Sequence, residues 1–303
     1  MTFAAASSPV AKLALAVVTE PKQGHAFGGG PVPAGAREDA VRALLQTAAD
    51  AGIVQIATRP QGDQERLLGQ AWPFPSPFSV SARAVALSEG LDRVEARARR
   101  SLERMGLPRG DVLLVSGAGD LAGAEGRALW DRMQALKDRG LFRRVGFLAT
   151  LEDGPTLLAR RFQPDVVQIP CNILDQRPVT EGVLSDLAAL GIAVHVSSVF
   201  AQGLLFANRE TLPQHLAGHG VALSRTRRRL AEARSDPMQA ALAFCLGLPP
   251  VAAVIASVAS AAELRAVLAA AHAPRPDLDW ATLALEEPAA LTAGSRYAIS
   301  NAA

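Results

Sequence analysis

The sequence predicts a single closed (β/α)8 barrel. The 303-residue chain is 49% apolar, which is enough to bury one large core. Short apolar or β-branched runs alternate with amphipathic segments, a pattern typical of parallel βαβ units. Eight such runs favour a closed barrel over an open sheet. We expect one domain over 1–303, with a core of about 12–270 and a tail of about 271–303. The predicted strands are 12–18, 53–57, 78–82, 112–115, 144–148, 166–170, 193–197 and 252–256.

The segments between these runs support the barrel. Leu44 and Ala48 belong to one apolar helical face, as expected for a helix that packs against a sheet. Either Ser235 or Asp236 can serve as an N-cap, so a helix is predicted to begin directly after them. Polar sequence over 202–236 precedes the last strand. In a barrel such an insertion enlarges a βα loop, on the side where sites are built.

Charge and composition exclude several classes of partner. The chain has 31 Lys and Arg against 29 Asp and Glu, a formal charge of +2, which argues against a nucleic-acid or acidic-membrane surface. The N-terminus lacks the basic start of a secretion signal, and no run approaches the roughly 20 apolar residues of a membrane span. We therefore expect a cytoplasmic protein in which Cys171 and Cys245 are free thiols. A small-molecule ligand or a protein partner remains, and both a monomer and a homodimer are open.

Several sequence blocks, in unbroken order, carry a family resemblance. They read GIVQIATRPQGDQERLLG at 52–69, then RRVGF, PDVVQIPCNILDQR, GIAVHVSSVFAQGLL and PMQAALAFCLGLPPVAAVIASV. With these blocks the chain resembles the aldo-keto reductase family from about residue 12 to about residue 270. The resemblance implies the barrel fold and, in the family, reversible hydride transfer between a nicotinamide cofactor and a carbonyl.

The four catalytic positions implied by this resemblance carry other residue types. The family's Asp falls on Ala57, its Tyr on Gln61, its Lys on Arg83 and its His on Ser116. Alanine has no charge, a Gln amide does not titrate near neutral pH, and Arg differs from Lys in shape and acidity. A general acid needs a titratable group within hydrogen-bond reach. The one tyrosine of the chain, Tyr297, lies in the tail and matches none of these positions.

The cofactor positions implied by the resemblance are partly retained. Gln168, Asn172 and Ser198 agree with the family, while Ser257 replaces a usual Gly after the eighth strand. Backbone amides after Ser257 are predicted to remain able to bind a phosphate. The resemblance implies NADPH as cofactor, and the substitutions predict weakened NADPH binding; no metal is expected. Non-equivalent residues occupy the remaining cofactor positions: Leu148, Ala149, Ser197, Ala266 and Val267.

Other motifs favour structural interpretations. The glycines at 28–30 lie in a Pro-rich connection without the GxxxxGK context of a phosphate loop. His215 and His219 have the spacing of helical metal ligands but lack a third ligand. His195 lies within a predicted strand, where packing is expected. The basic run at 225–229 is expected to be a solvated helix face.

Arg83 is the residue with two opposed interpretations. At the end of the third strand its guanidinium would point into the site and bind an anion, aided by Arg59, Gln61 and Ser116. Alternatively, it fills the space of the replaced Lys and pairs with a nearby carboxylate.

Three functions follow from these residues. The first is a barrel that has lost hydride transfer and acts as a ligand-binding or interaction scaffold. The second is an NADPH-dependent oxidoreductase with an atypical catalytic set. The third is a non-redox enzyme that acts on an anionic small molecule held by Arg83. The sequence favours the first, because all four catalytic positions differ and fold alone does not decide function.

Overall fold

The computed structural model describes residues 9–19, 34–60, 63–207, 212 and 214–288, and these residues form a closed barrel of eight parallel strands. The barrel and the single-domain architecture predicted from the sequence are confirmed. The strands are β1 (Leu13–Val17), β2 (Gln55–Ala57), β3 (Ser79–Arg83), β4 (Gly110–Val115), β5 (Phe142–Leu148), β6 (Val166–Pro170), β7 (Ala193–Ser197) and β8 (Val251–Val258).

Helices surround the barrel. The described residues contain α1 (Ala34–Asp50), α2 (Gln64–Ala71), α3 (Leu91–Arg104), α4 (Ala118–Ala122), α5 (Gly126–Asp138), α6 (Pro155–Phe162), α7 (Arg177–Thr180), α8 (Val183–Ala189), α9 (Gly220–Glu232), α10 (Pro237–Leu246) and α11 (Ala261–His272). Short 3-10 turns occur at Pro9–Lys12, Leu87–Glu89, Leu151–Asp153, Ala201–Gly203, Gln214–His219 and Trp280–Leu283.

The barrel closes where β8 pairs with β1. Five consecutive residue pairs join these strands, from Leu13 opposite Val254 to Val17 opposite Val258. The sequence placed the eighth strand at 252–256, so β8 is longer than predicted. Of its additional residues, Ser257 and Val258 pair with the end of β1, and Val251 pairs with Val194 of β7.

Alternation along each strand separates two apolar regions. Leu13 and Leu15 of β1 belong to the large cluster that includes Leu44 and Leu45 of α1, so they face the helices. Val112, Leu114 and Val166 form a small separate cluster. Because successive side chains of a strand point to opposite faces, this second cluster fills the inside of the barrel.

The helix before β8 begins as the sequence indicated, and Asp236 rather than Ser235 is its N-cap. The Asp236 carboxylate accepts the backbone N–H of Met238 at 2.8 Å and that of Gln239 at 3.3 Å. The described residues of the polar segment 202–236 include α9 and lie between β7 and β8. Cys171 and Cys245 are buried free thiols. Within the described ranges, no helix is long and apolar enough to cross a bilayer.

We predict that Gly146→Ala destabilises the barrel. A Cβ at Gly146 would lie 2.0 Å from the carbonyl oxygen of Val166 and 3.0 Å from Leu114 Cδ2, and the nearer of these atoms belongs to the backbone, so relief requires a backbone shift. Such overpacking costs about 1–3 kcal/mol, measurable by urea unfolding. Gly117→Ala is the control, since nothing lies within 4 Å of its Cβ position. Equal stability of the two variants would contradict this packing.

Candidate functional site at the carboxyl edge of the barrel

The positions singled out in the sequence meet at the carboxyl ends of three neighbouring strands. Ala57 is the last residue of β2, Arg83 is the last residue of β3, and Ser116 directly follows β4. In a barrel the βα loops at this edge build the site. Gln61 lies outside the described residues.

Strand register places Arg59 beside Arg83. Ala57 pairs with Ser81, and the backbone N–H of Thr58 donates to the Ser81 carbonyl at 2.8 Å. Arg59 lies two residues beyond Ala57, as Arg83 lies two residues beyond Ser81. Adjacent strands are about 4.8 Å apart, so the chain brings two positive side chains together at one edge.

These two guanidinium groups repel one another. Burial lowers the pKa of Arg83 to about 9, and the charge of Arg59 adds to this effect. Burial also lowers the pKa of Arg59, although its side chain keeps solvent contact at the rim. In the described part of the chain, no hydrogen bond or ion pair joins either guanidinium to another group. The interpretation of Arg83 as the partner of a nearby carboxylate therefore finds no support there.

Hydroxyl groups lie close to this pair of arginines. Ser116 donates its hydroxyl to the carbonyl of Ala84, the residue after Arg83. Ser81 lies on the same face of β3 as Arg83, one layer deeper in the barrel, and its buried Oγ has no hydrogen-bond partner among the described residues. At the opposite side of the edge, Ser197 ends β7 and Ser257 is exposed near the end of β8.

Two of the retained cofactor positions are buried in the β6 region. Gln168 lies within β6 and is 2% exposed. Asn172 follows β6, and its Oδ1 accepts the backbone N–H groups of Leu174 at 2.9 Å and Asp175 at 3.0 Å. The side-chain oxygen of Asn172 therefore stabilises its own loop, a role that the sequence did not reveal.

The connection after β7 carries unusual backbone geometry. Ser198, Ala201 and Gln202 have positive φ angles of 57°, 47° and 55°, a conformation that non-glycine residues seldom adopt. The strain is held by local hydrogen bonds, such as that from the Ala201 N–H to the Ser198 carbonyl at 2.8 Å. Strained residues of this kind concentrate at ligand and active sites, which agrees with a site at this edge.

The turn between β8 and α11 is closed by its own side chains. The Ser260 hydroxyl caps the helix by accepting the Glu263 N–H at 3.1 Å, and the Glu263 carboxylate accepts the Ala259 N–H at 2.6 Å. The prediction that amides after Ser257 stay able to bind a phosphate must therefore be corrected for two of them. Sequence reasoning missed Glu263, although Ser260 followed three residues later by Glu is a capping-box pattern.

His195 belongs to the inside of the barrel below this edge. It is 3% exposed, and burial lowers its pKa to about 4, with Arg144 adding to the lowering and Asp111 opposing it. Arg144 and Asp111 form an ion pair with a 2.6 Å contact. Both lie near the amino ends of their strands, so this pair and His195 are internal polar packing, as expected for the histidine.

The remaining motifs do not join the site. In the basic run, Arg227 donates to the Leu204 carbonyl at 3.4 Å, Arg229 donates to the Thr282 carbonyl, and Arg228 lies 3.9 Å from Glu232. No group of three potential metal ligands occurs in the described residues. The glycines at 28–30, the His215 side chain and Tyr297 lie outside what the structure describes.

Known proteins share this architecture. Solved structures with the same fold include the holo form of aldo-keto reductase AKR11C1 from Bacillus halodurans, with a TM-score of 0.64 and 21% identity over 84% of this chain and 87% of that chain. Glycerol dehydrogenase AKR11B4 from Gluconobacter oxydans gives a TM-score of 0.66 and 18% identity over 93% of this chain and 90% of that chain. No curated protein matches the chain in sequence.

The sequence itself decides the family. The model of the Aldo/keto reductase family matches residues 26–284. The chain belongs to this family. The family resemblance inferred from the sequence blocks is therefore confirmed.

Members of the aldo/keto reductase family usually bind NADP(H), and the residues of this chain fit that cofactor poorly. At the start of α11, the Glu263 carboxylate accepts the backbone N–H of Ala259, so a phosphate bound at this turn would meet a negative charge. The side-chain oxygen of Asn172 already accepts two backbone N–H groups of its own loop. Gln168 and Ser198 alone do not supply a phosphate site.

We predict that Arg83→Met stabilises the ligand-free protein. Methionine fills a similar space without a charge. Removing a partly buried charge that has no partner among the described residues should raise the free energy of unfolding by about 1 kcal/mol. Thermal and urea unfolding measure the change. Arg100→Met, on the exposed face of α3, is the control and should leave stability unchanged. A destabilised Arg83→Met variant would show that Arg83 has a stabilising partner.

We also predict that His195 makes the protein acid-sensitive. Its pKa falls from 6.5 to about 4 on folding, so the unfolded chain binds a proton that the folded chain does not. The free energy of unfolding therefore decreases as pH falls through this window. Between pH 6.5 and about pH 4, the free energy of unfolding should decrease less in His195→Gln than in the wild type, as measured by urea unfolding. The surface variant His272→Gln should behave like the wild type. An unchanged pH dependence in His195→Gln would refute this assignment.

Proposed function

We propose that this member of the aldo/keto reductase family does not catalyse hydride transfer and that its barrel mouth binds a small-molecule ligand. The observation that carries the proposal is the residue set at the carboxyl edge: Ala57, Arg83 and Ser116. Reduction of a carbonyl requires a proton donor next to the substrate oxygen. Ala57 has no proton to give, and the Ser116 hydroxyl is directed to a backbone carbonyl.

The turn before α11 supports the same proposal, because it is poorly suited to bind the cofactor. A nicotinamide dinucleotide phosphate brings several negative charges to its protein, and such groups are bound by free amides and cations. Here Glu263 occupies the Ala259 amide and Ser260 occupies the Glu263 amide. Binding of NADPH would therefore have to displace a helix cap and overcome the repulsion of a carboxylate.

A reductase with an atypical proton donor is the second candidate. Arg83 favours it, because its pKa of about 9 is low for a guanidinium and a cation at this edge could donate a proton. The donor would then carry a charge at neutral pH. The reductase requires tight NADPH binding and the non-reducing barrel does not, so an NADPH titration distinguishes the two functions.

We predict that cofactor-free protein shows no saturable binding of NADPH or NADH up to millimolar concentration. Nucleotide fluorescence and the thermal midpoint should both stay flat, and no NADPH should be oxidised with a panel of aldehydes and ketones. Micromolar binding together with NADPH oxidation would contradict the proposal and support the reductase.

One variant tests whether the charge of Glu263 opposes NADPH binding. Glu263→Gln removes the negative charge but keeps an oxygen that can accept the Ala259 N–H, so it should improve NADPH affinity while preserving the fold. Glu232→Gln, on α9, is the matched control and should leave NADPH affinity unchanged.

A further inference from the structure

We propose that the ligand of the barrel mouth carries a doubly charged oxyanion, such as a phosphomonoester group, held between Arg59 and Arg83. This inference rests on the proposed function and names the chemical class of its ligand. The two arginines lie at equivalent register on neighbouring strands, since Arg59 is two residues beyond Ala57, Arg83 is two residues beyond Ser81, and Ala57 pairs with Ser81.

The acidic residues nearest to Arg59 along the chain are engaged elsewhere. Asp63 lies 2.7 Å from Arg66, and Glu65 is 1% exposed and 3.7 Å from Arg104 on the far side of α2. No carboxylate of the described residues pairs with Arg59 or Arg83. Arg83 is partly buried, and a charge that is largely removed from water without a counter-charge is costly. An anion from outside the chain would supply that counter-charge.

The number of charges indicates the kind of anion. Two guanidinium groups side by side repel each other, and a dianion neutralises both at once, whereas a monocarboxylate leaves one positive charge in excess. A guanidinium also presents paired N–H donors that match the oxygens of a phosphate or carboxylate. Two such groups provide more donors than a single carboxylate can accept.

The surroundings indicate the rest of the ligand. Ser81 has a buried hydroxyl with no hydrogen-bond partner among the described residues, on the same face of β3 as Arg83. Ser197 is the last residue of β7 and Ser257 lies near the end of β8, on the opposite side of the mouth. Hydroxyl groups both donate and accept hydrogen bonds, so a polar, hydroxylated body attached to the oxyanion fits this edge better than an apolar one.

The direct test is isothermal titration calorimetry of the full chain with inorganic phosphate and with glycerol 3-phosphate, using glycerol and chloride as ligand controls. Both phosphates should bind saturably, and glycerol 3-phosphate should bind more tightly if the hydroxyl-lined edge holds the body of the ligand. Arg59→Gln and Arg83→Gln should each weaken binding by about tenfold or more. Arg100→Gln, which removes an exposed arginine of α3, should bind like the wild type.

A second variant tests the site without removing an arginine. Ala57→Asp places a carboxylate at the end of β2, within reach of Arg83, so that Arg83 gains an internal counter-charge. The variant should be folded and should lose phosphate binding. Ala57→Asn, which is matched in size and carries no charge, should retain it.

Two results would overturn the inference: no phosphate binding by the wild type, or equal binding by the wild type and both arginine variants. Neither result would affect the proposed absence of hydride transfer, which the NADPH titration tests separately. Conversely, NADPH oxidation by the wild type would overturn the proposed function even if phosphate bound at Arg59 and Arg83.

Discussion

The pairing of β8 with β1 is the constraint on which the rest of the molecule depends. Closing eight parallel strands fixes their register, and the register decides which residues emerge together at the carboxyl edge. Arg59 and Arg83 lie 24 positions apart in the sequence, and only the pairing of Ala57 with Ser81 brings them side by side. The register between β5 and β6 likewise requires a glycine at position 146, since a Cβ there would meet the Val166 carbonyl.

The arginines at the two ends of the barrel differ in whether a carboxylate pairs with them among the described residues. Near the amino ends of the strands, Arg144 is neutralised by Asp111, and His195 packs beside them as a neutral imidazole. Near the carboxyl ends, the described residues offer no counter-charge to Arg59 or Arg83. At the amino end the cation is paired, whereas at the carboxyl end two cations have no partner among the described residues, and this difference underlies the proposed anion site. The fold thus separates stability from ligand recognition, as other barrels do.

Much of the fold could be predicted from the sequence because the signals are local. Alternation of apolar runs with amphipathic segments indicated the barrel, and two strands, β6 and β7, have the predicted bounds. The first two residues of β5, Phe142 and Arg143, were missed because an Arg-rich segment does not read as a strand. It is the pairing of Phe142 with Gly110 of β4 that includes them.

The candidate site was predictable in its residues but not in its interactions. The family resemblance indicated Ala57, Arg83 and Ser116, and each lies at the expected strand end. The ion pair of Arg144 with Asp111 depends on strand stagger, which no local pattern reveals. Glu263 closing the Ala259 amide follows from a capping pattern within a few residues, so it could have been predicted and was missed. Gln61 and Tyr297 remain predictions.

We propose that the mouth of this barrel recognises an oxyanion in place of a nicotinamide cofactor. The most direct measurement is a crystal structure of the protein grown with both glycerol 3-phosphate and NADPH. We expect phosphate density between the guanidinium groups of Arg59 and Arg83 and an intact contact between Glu263 and the Ala259 amide. Density for a nicotinamide ring in the mouth, with the Glu263 contact broken, would contradict it.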